Sequence, residues 1–190
     1  MAHSDIEIEV KFPLRNKEAV MLFLNQHAQP KTTSVVQKDT YFTPAHKNFL
    51  SNKYPYEWLR LRESGEEIVL NYKHFYPENE KTTDYCDEFE TKVDNSVIRK
   101  IFASLQFKEL VTVEKSRITW MYKDVEIAID DIKELGSFIE LEITTPFEDP
   151  KKAKEYLYTV VQEIGAEIGE EDYKGYPFLL LENQGHTPNL

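Results

Sequence analysis

Cysteine is almost absent: Cys86 is the only one in 190 residues. A lone thiol forms no internal disulfide, and with no second Cys or paired His beside it Cys86 offers no soft-metal site. It reads as a packing residue or one facing a barrel interior. Glycine and proline are scarce, at 6 and 9 residues, and the prolines fall singly between periodic runs, which excludes a low-complexity or linker-dominated chain. No repeat recurs at a fixed period. No apolar run approaches the roughly 20 residues that span a bilayer, and Met1–Asp5 lacks the basic-then-apolar pattern of a leader. The expectation is a cytoplasmic protein with no membrane partner. Positive charge is in deficit, with 23 Lys and Arg against 34 Asp and Glu for a net charge of -11. That balance argues against duplex nucleic acid as a partner, whose binding rests on basic side chains replacing counterions.

What the chain has is alternation. Its 41% hydrophobic and 13% aromatic content suits one domain with a sizeable core. Period-two patterns at Ile6–Phe12, Val36–Phe42, Trp58–Glu63, Ile68–Phe75, Tyr85–Val93, Val111–Tyr122, Val125–Ile132 and Phe138–Thr144 predict roughly eight strands. Spacings of three and four predict helices at Lys17–His27 after Asn16, Ser96–Leu105 after Asp94, and Pro150–Ile164 after Asp149. Turns at Glu63–Glu66, Tyr122–Asp124 and Glu134–Ser137 suit antiparallel hairpins. Thr43–Pro55 and Pro77–Thr83 read as loops, and Asn183–Leu190 as a disordered tail. The fold class is therefore α+β, and alternation alone leaves sandwich, open sheet and barrel open.

The charges favour the barrel. In Ile6–Phe12, Glu7, Glu9 and Lys11 share one face and the apolar residues the other. One such strand is ordinary, since solvated charges opposite a core face are common. Here the charged face recurs: Arg60 and Arg62, Lys73, Glu88 and Glu90, Lys115 and Arg117, Glu126 and Asp130, Glu140 and Glu142. Inside a closed barrel, alternating carboxylates and cations compensate one another and leave groups for a polyanion and its metals. A triphosphate suits this mixture, with Arg and Lys on phosphate oxygens and Glu and Asp on hard divalent cations.

Glu7-Ile8-Glu9-Val10-Lys11 resembles the E-x-E-x-K signature of the CYTH superfamily, the triphosphate tunnel metalloenzymes. Asp39-Thr40-Tyr41-Phe42, Leu59–Glu63, Glu114–Arg117, Ile129–Ile132 and Leu135–Glu142 resemble its later blocks in order. The resemblance implies a closed eight-stranded antiparallel β-barrel with helices packed outside, as one tunnel domain over residues 1–182. It implies Mg2+ or Mn2+ on Glu7, Glu9, Glu140 and Glu142, with Asp130 a ligand or a supporting group. Lys11, Arg60, Arg62, Lys73, Lys115 and Arg117 become phosphate contacts, with Glu88 and Glu90 beside the substrate. Lys11, Lys115, Arg117 and Asp130 are the catalytic candidates. Lys92 and Glu126 match no block and stay open between tunnel residue and solvated strand end; Lys81 could reach the site from its loop. His74 lies opposite Lys73 and reads as structural, while Tyr41, Trp58 and Tyr176 read as packing or base contacts.

Two reactions share such a site. A class IV adenylyl cyclase makes cyclic AMP and pyrophosphate from ATP by attack of the ribose hydroxyl. A triphosphatase directs water at the terminal phosphorus of tripolyphosphate, thiamine triphosphate or a nucleoside triphosphate. The turn at Leu135–Phe138 and the Asp39–Phe42 block lean towards the cyclase branch, whereas His74–Pro77 stands where that branch has a glycine-containing turn. A sensor that binds the anion without turnover, or an acidic β-rich interaction domain, are the alternatives outside catalysis. A homodimer is compatible with the resemblance. Removing like-charged tunnel cations relieves repulsion even as it removes phosphate contacts, so Arg62→Ala or Lys115→Ala is expected to abolish turnover with little loss of stability.

Overall fold

The computed structural model describes residues 6–185. Met1–Asp5 and most of the expected tail, 186–190, lie outside the described residues. Asn183 belongs to a helix rather than to a tail, which corrects the expected start of disorder. The described chain contains nine strands: β1 (Ile6–Glu7), β2 (Glu9–Pro13), β3 (Gln29–Thr43), β4 (Glu57–Ser64), β5 (Glu67–Tyr76), β6 (Tyr85–Lys92), β7 (Lys108–Tyr122), β8 (Val125–Ile132) and β9 (Gly136–Ile143). Its helices are α1 (Lys17–His27), α2 (Asn95–Ser104), α3 (Pro150–Glu163) and α4 (Tyr176–Asn183). The expected count of eight becomes nine because the first run breaks at Ile8, whose carbonyl accepts from the Ile143 N–H.

The chain divides into two compact units. One comprises the residues up to Val35 together with Lys115–Tyr173; the other comprises Val36–Glu114 and the residues from Lys174.

In the first unit the strand order is β7-β8-β9-β2, every neighbour antiparallel. Directly paired residues share a face, so the register sorts side chains into rows. Val10, Leu141, Ile127 and Trp120 form one apolar row and Phe12, Ile139, Ile129 and Ile118 the next. Helix α3 packs against β2 and β9, burying Ala153, Leu157, Val160 and Val161. Its start is set by Asp149, whose carboxylate accepts from the Lys151 and Lys152 N–H groups ahead of Pro150. Helix α1 meets β7, where Trp120 Nε1 donates to Asn25 at 3.1 Å. Asn16 holds the N-cap position of α1 without a capping bond. Its side chain instead bridges to the chain after α3, donating to the Gly165 carbonyl and accepting from the Glu167 N–H.

In the second unit β3, β4, β5 and β6 pair consecutively and antiparallel. The β4–β5 hairpin turns at Gly65, whose φ of +61° suits a residue without Cβ. Phe42, Leu61 and Phe102 centre its core, with Leu59, Ile68, Leu70, Val93, Ile98 and Phe107 packed around them. Asp94 caps α2, accepting from the Val97 N–H at 3.0 Å.

Helix α4 has no counterpart in the sequence reading. Tyr176, Pro177, Phe178, Leu180 and Leu181 are all buried, so the segment is apolar nearly all round and lacks the two-faced period that marks a surface helix.

Candidate functional site

The face of the first unit's sheet opposite its apolar rows is charged. Glu9, Glu142 and Glu126 lie directly opposite one another across β2, β9 and β8. One step along, Lys11 pairs in register with Glu140. One step further, Asp130 faces Arg117 across β8 and β7. Strand alternation puts these residues together, as the spacing predicted.

Their side chains form one network. Lys11 Nζ lies 3.2 Å from Glu9 and 3.0 Å from Glu140. Arg117 clasps Asp130 bidentately, Nε to Oδ1 at 2.7 Å and Nη2 to Oδ2 at 2.6 Å, and reaches Glu140 at 3.0 Å. Lys115, 4% exposed, lies 3.3 Å from the same Asp130, which is wholly buried. Burial opposes ionisation of Asp130, yet the Lys115 and Arg117 charges outweigh it and hold its carboxyl below the usual range. Glu7 is buried on β1. Glu126, left open by the sequence, forms an ion pair with Lys31.

The second unit carries a second set on one face of its sheet. Tyr41, Arg60, Asn71 and Glu90 form one register row; Asp39, Arg62, Val69 and Lys92 the next; Trp58, Lys73 and Glu88 lie on the other side. Asp39, 1% exposed, accepts both Nε and Nη2 of Arg62 at 2.8 Å and Nη1 of Arg60 at 3.4 Å. Burial disfavours the Arg60 charge, but Asp39, Tyr41 and Glu88 overcome it and raise its pKa. Glu88 lies 3.6 Å from Lys73 and 3.9 Å from Arg60, and accepts from the buried Asn71 amide. Tyr41 and Trp58 pack edge to face at 5.6 Å, and Cys86 is buried on this strand face. Glu90 is exposed, as is Lys81 in its loop. Lys92 pairs with exposed Glu67 at 3.0 Å, a solvated strand end.

His74 lies on the opposite face, as expected, within a hydrogen-bonded chain. Its Nε2 meets Glu78 at 2.9 Å, its Nδ1 approaches the Tyr72 hydroxyl at 3.4 Å, and that hydroxyl donates to buried Glu57 at 2.8 Å.

Asp39 and Asn71 are the polar residues that the sequence reading did not place in a site. Asp39 was legible only as part of a motif, although its position opposite Arg62 follows from the hairpin register once β3 and β4 are paired. Among the described residues no three His, Cys, Asp or Glu side chains converge as a group able to hold a metal ion. The carboxylates of the first unit do supply hard oxygen donors side by side, the set that Mg2+ and Mn2+ select. Among the described residues no helix is long and apolar enough to cross a membrane.

The CYTH domain family matches residues 5–176. A Methanocaldococcus jannaschii protein named "Putative adenylate cyclase MJ0240" is 32% identical over 138 residues, 72% of this chain and 76% of its own length. Among solved structures, the PH1819 protein of Pyrococcus horikoshii superposes with a TM-score of 0.77 at 25% identity, over 93% of this chain and 99% of that one. The Hippeastrum protein "Putative adenylyl cyclase HpAC1", described as having a dominant triphosphatase activity, shares the fold at a TM-score of 0.59 and 17% identity, over 96% of each chain. The likeness to these structures shows their fold, with antiparallel strands in each unit and nine strands among the described residues in place of the expected eight.

Proposed function

Since this chain belongs to the CYTH domain family, we propose that it is a metal-dependent enzyme acting on triphosphates, with conversion of ATP to cyclic AMP and pyrophosphate as its first candidate reaction. The observation that carries the reading is the network on the charged face of β2, β9, β8 and β7, where Lys11, Lys115 and Arg117 interleave with Glu9, Glu140 and Asp130. An ordinary solvated strand face exposes its charges, whereas this one buries Lys115, Asp130 and Glu140. Burying charge is expensive unless the ions do something together.

In this reading Lys11, Lys115 and Arg117 contact phosphate oxygens, and Arg60, Arg62 and Lys73 are the second unit's own candidates for phosphate contact. The arginines supply forked donors and the lysines point charges, so negative charge gathering on the phosphoryl group meets fixed donors. Glu7, Glu9, Glu140 and Glu142 are the hard donors for Mg2+ or Mn2+. A divalent cation held there would neutralise phosphate oxygens and polarise the attacking oxygen. Asp130 keeps Arg117 and Lys115 in place, because both of its oxygens accept from them.

The cyclase reading comes first because the Methanocaldococcus relative bears that name at 32% identity. Triphosphate hydrolysis is the second, favoured by the activity described for the Hippeastrum protein of the same fold. Phosphorus NMR of products from ATP, thiamine triphosphate and tripolyphosphate, each with Mg2+ or Mn2+, tests both. Cyclic AMP with pyrophosphate from ATP is the expected result; orthophosphate release would move the assignment to a triphosphatase. No turnover of any of the three would replace the enzyme by a sensor.

A further inference from the structure

Arg60 and Arg62 are two residues apart on β4, so both guanidinium groups project from the same face and repel each other. The residue between these charges and disorder is Asp39. It stands directly opposite Arg62 in the β3–β4 register. It is 1% exposed, accepts the Arg62 fork through both oxygens at 2.8 Å, and touches Arg60 at 3.4 Å. A bidentate clasp fixes the plane of a guanidinium as well as its position. Of the five N–H donors of Arg62, two are committed to Asp39 and about three remain for a ligand in a set orientation. Arg60 is held less tightly: its Nε is buried without a hydrogen-bond partner among the described residues.

We propose that Asp39 is a positioning residue for the triphosphate reaction, holding the Arg62 guanidinium in the one plane from which its remaining donors meet a phosphoryl group. The inference rests on the function proposed above. It differs from an attractive role, because Asp39 carries the same charge as the substrate. Asp39 therefore weakens ground-state binding while sharpening alignment, and this combination gives the test its sign.

Asp39→Asn keeps the shape and one acceptor but loses the charge and the second acceptor. Three quantities are read: kcat on whichever of ATP, thiamine triphosphate and tripolyphosphate the wild type turns over fastest, tripolyphosphate affinity by calorimetry with EDTA to suspend metal-dependent turnover, and the melting midpoint. The expected result is a fall in kcat of about a hundredfold, the size of effect that slight misplacement of a catalytic group produces, with tripolyphosphate bound as tightly as by the wild type or more tightly. Arg62→Lys, which keeps the charge and loses the fork, should show the same split. Combined with it, Asp39→Asn should lower kcat by no more than about threefold further, because both changes remove one interaction. Unchanged kcat in a folded Asp39→Asn protein, weaker tripolyphosphate binding, or losses that multiply in the double variant would each overturn the proposal. If Asp39→Asn does not fold, an unimpaired Arg62→Lys enzyme overturns it instead. A wild type that neither binds nor turns over any of the three triphosphates overturns the functional reading itself, an outcome distinct from a failure confined to Asp39.

Discussion

Asp130 and Arg117 face each other across the β7–β8 ladder in the same way that Asp39 and Arg62 face each other across β3–β4. In both cases a buried aspartate accepts Nε and Nη2 of the arginine, and a second cation two residues earlier, Lys115 or Arg60, approaches the same carboxylate. Each unit thus solves one problem by one device. Two cations needed on one strand face are kept apart and aimed by a single carboxylate from the neighbouring strand.

This arrangement reverses the expectation that the cations are held under repulsion. Removing one takes a charge partner away from a wholly buried carboxylate. Arg117→Ala should therefore destabilise the protein by about 3 kcal/mol, the cost typical of breaking a buried pair. Urea midpoints should fall accordingly, and Asp130→Asn combined with Arg117→Met should recover part of the loss. An Arg117→Ala protein as stable as the wild type would show that the Asp130 pair contributes nothing.

The sequence made the strands legible because alternation survives wherever one face is apolar, and the three amphipathic helices because their faces differ. It hid α4, apolar nearly all round, and the one-residue break at Ile8, too small for any periodicity to reveal. The candidate site divided in a similar way. Lys11, Arg60, Arg62, Lys115 and Arg117 announced themselves as charges at strand spacing. Asp39 did not, because its meaning lies in a partner 23 residues away and appears only once the register is known. Asn16 misled for the opposite reason: its type and place fit a cap, but its amide is spent on Gly165 and Glu167.

Asp131, next to the buried Asp130, ties α1 to the start of β9 through Lys17 and the Ser137 hydroxyl. Burial raises its pKa, but the bonds from Lys17 and Ser137 prevail and leave it lowered. A carboxyl whose folded pKa lies below its unfolded value, about 3.9, contributes stability that is present above that value and is lost as the pH falls through the folded one. Asp131→Asn should therefore destabilise the protein at about pH 7 and make little difference near pH 2. Denaturant midpoints at the two pH values measure this; a gap between variant and wild type that widens on acidification would contradict it.

Tyr72 donates its hydroxyl to Glu57, a carboxylate only 7% exposed that also pairs with Lys47. Burial raises the tyrosine pKa, and the bond to Glu57 raises it further, so the phenol remains a donor across the usable pH range. Tyr72→Phe removes that donor while keeping the ring stacked against Phe89. The expected loss is about 1.5 kcal/mol, since the acceptor left behind is charged, with kcat unchanged because Tyr72 lies on the face opposite Lys73. A thermal melt and a turnover assay on one preparation separate the two effects.

Glu9, Glu142 and Glu126 stand in a row across three strands, and like charges directly opposite one another oppose folding. If the proposed divalent cation binds beside this row it would offset that repulsion only in the folded protein, and so should stabilise by mass action, by about 2.7 kcal/mol at a hundred times its dissociation constant. Melting midpoints should rise with Mg2+ or Mn2+ and return to the starting value on adding EDTA. Glu142→Gln removes the middle of the row and should lose most of the metal-induced rise. Glu90→Gln, on the exposed end of β6, should keep the full rise, because only carboxylates that bind the cation can change its effect on stability. An equal rise in Glu142→Gln and the wild type would place the cation elsewhere and leave the row as repulsion carried by the surrounding lysines.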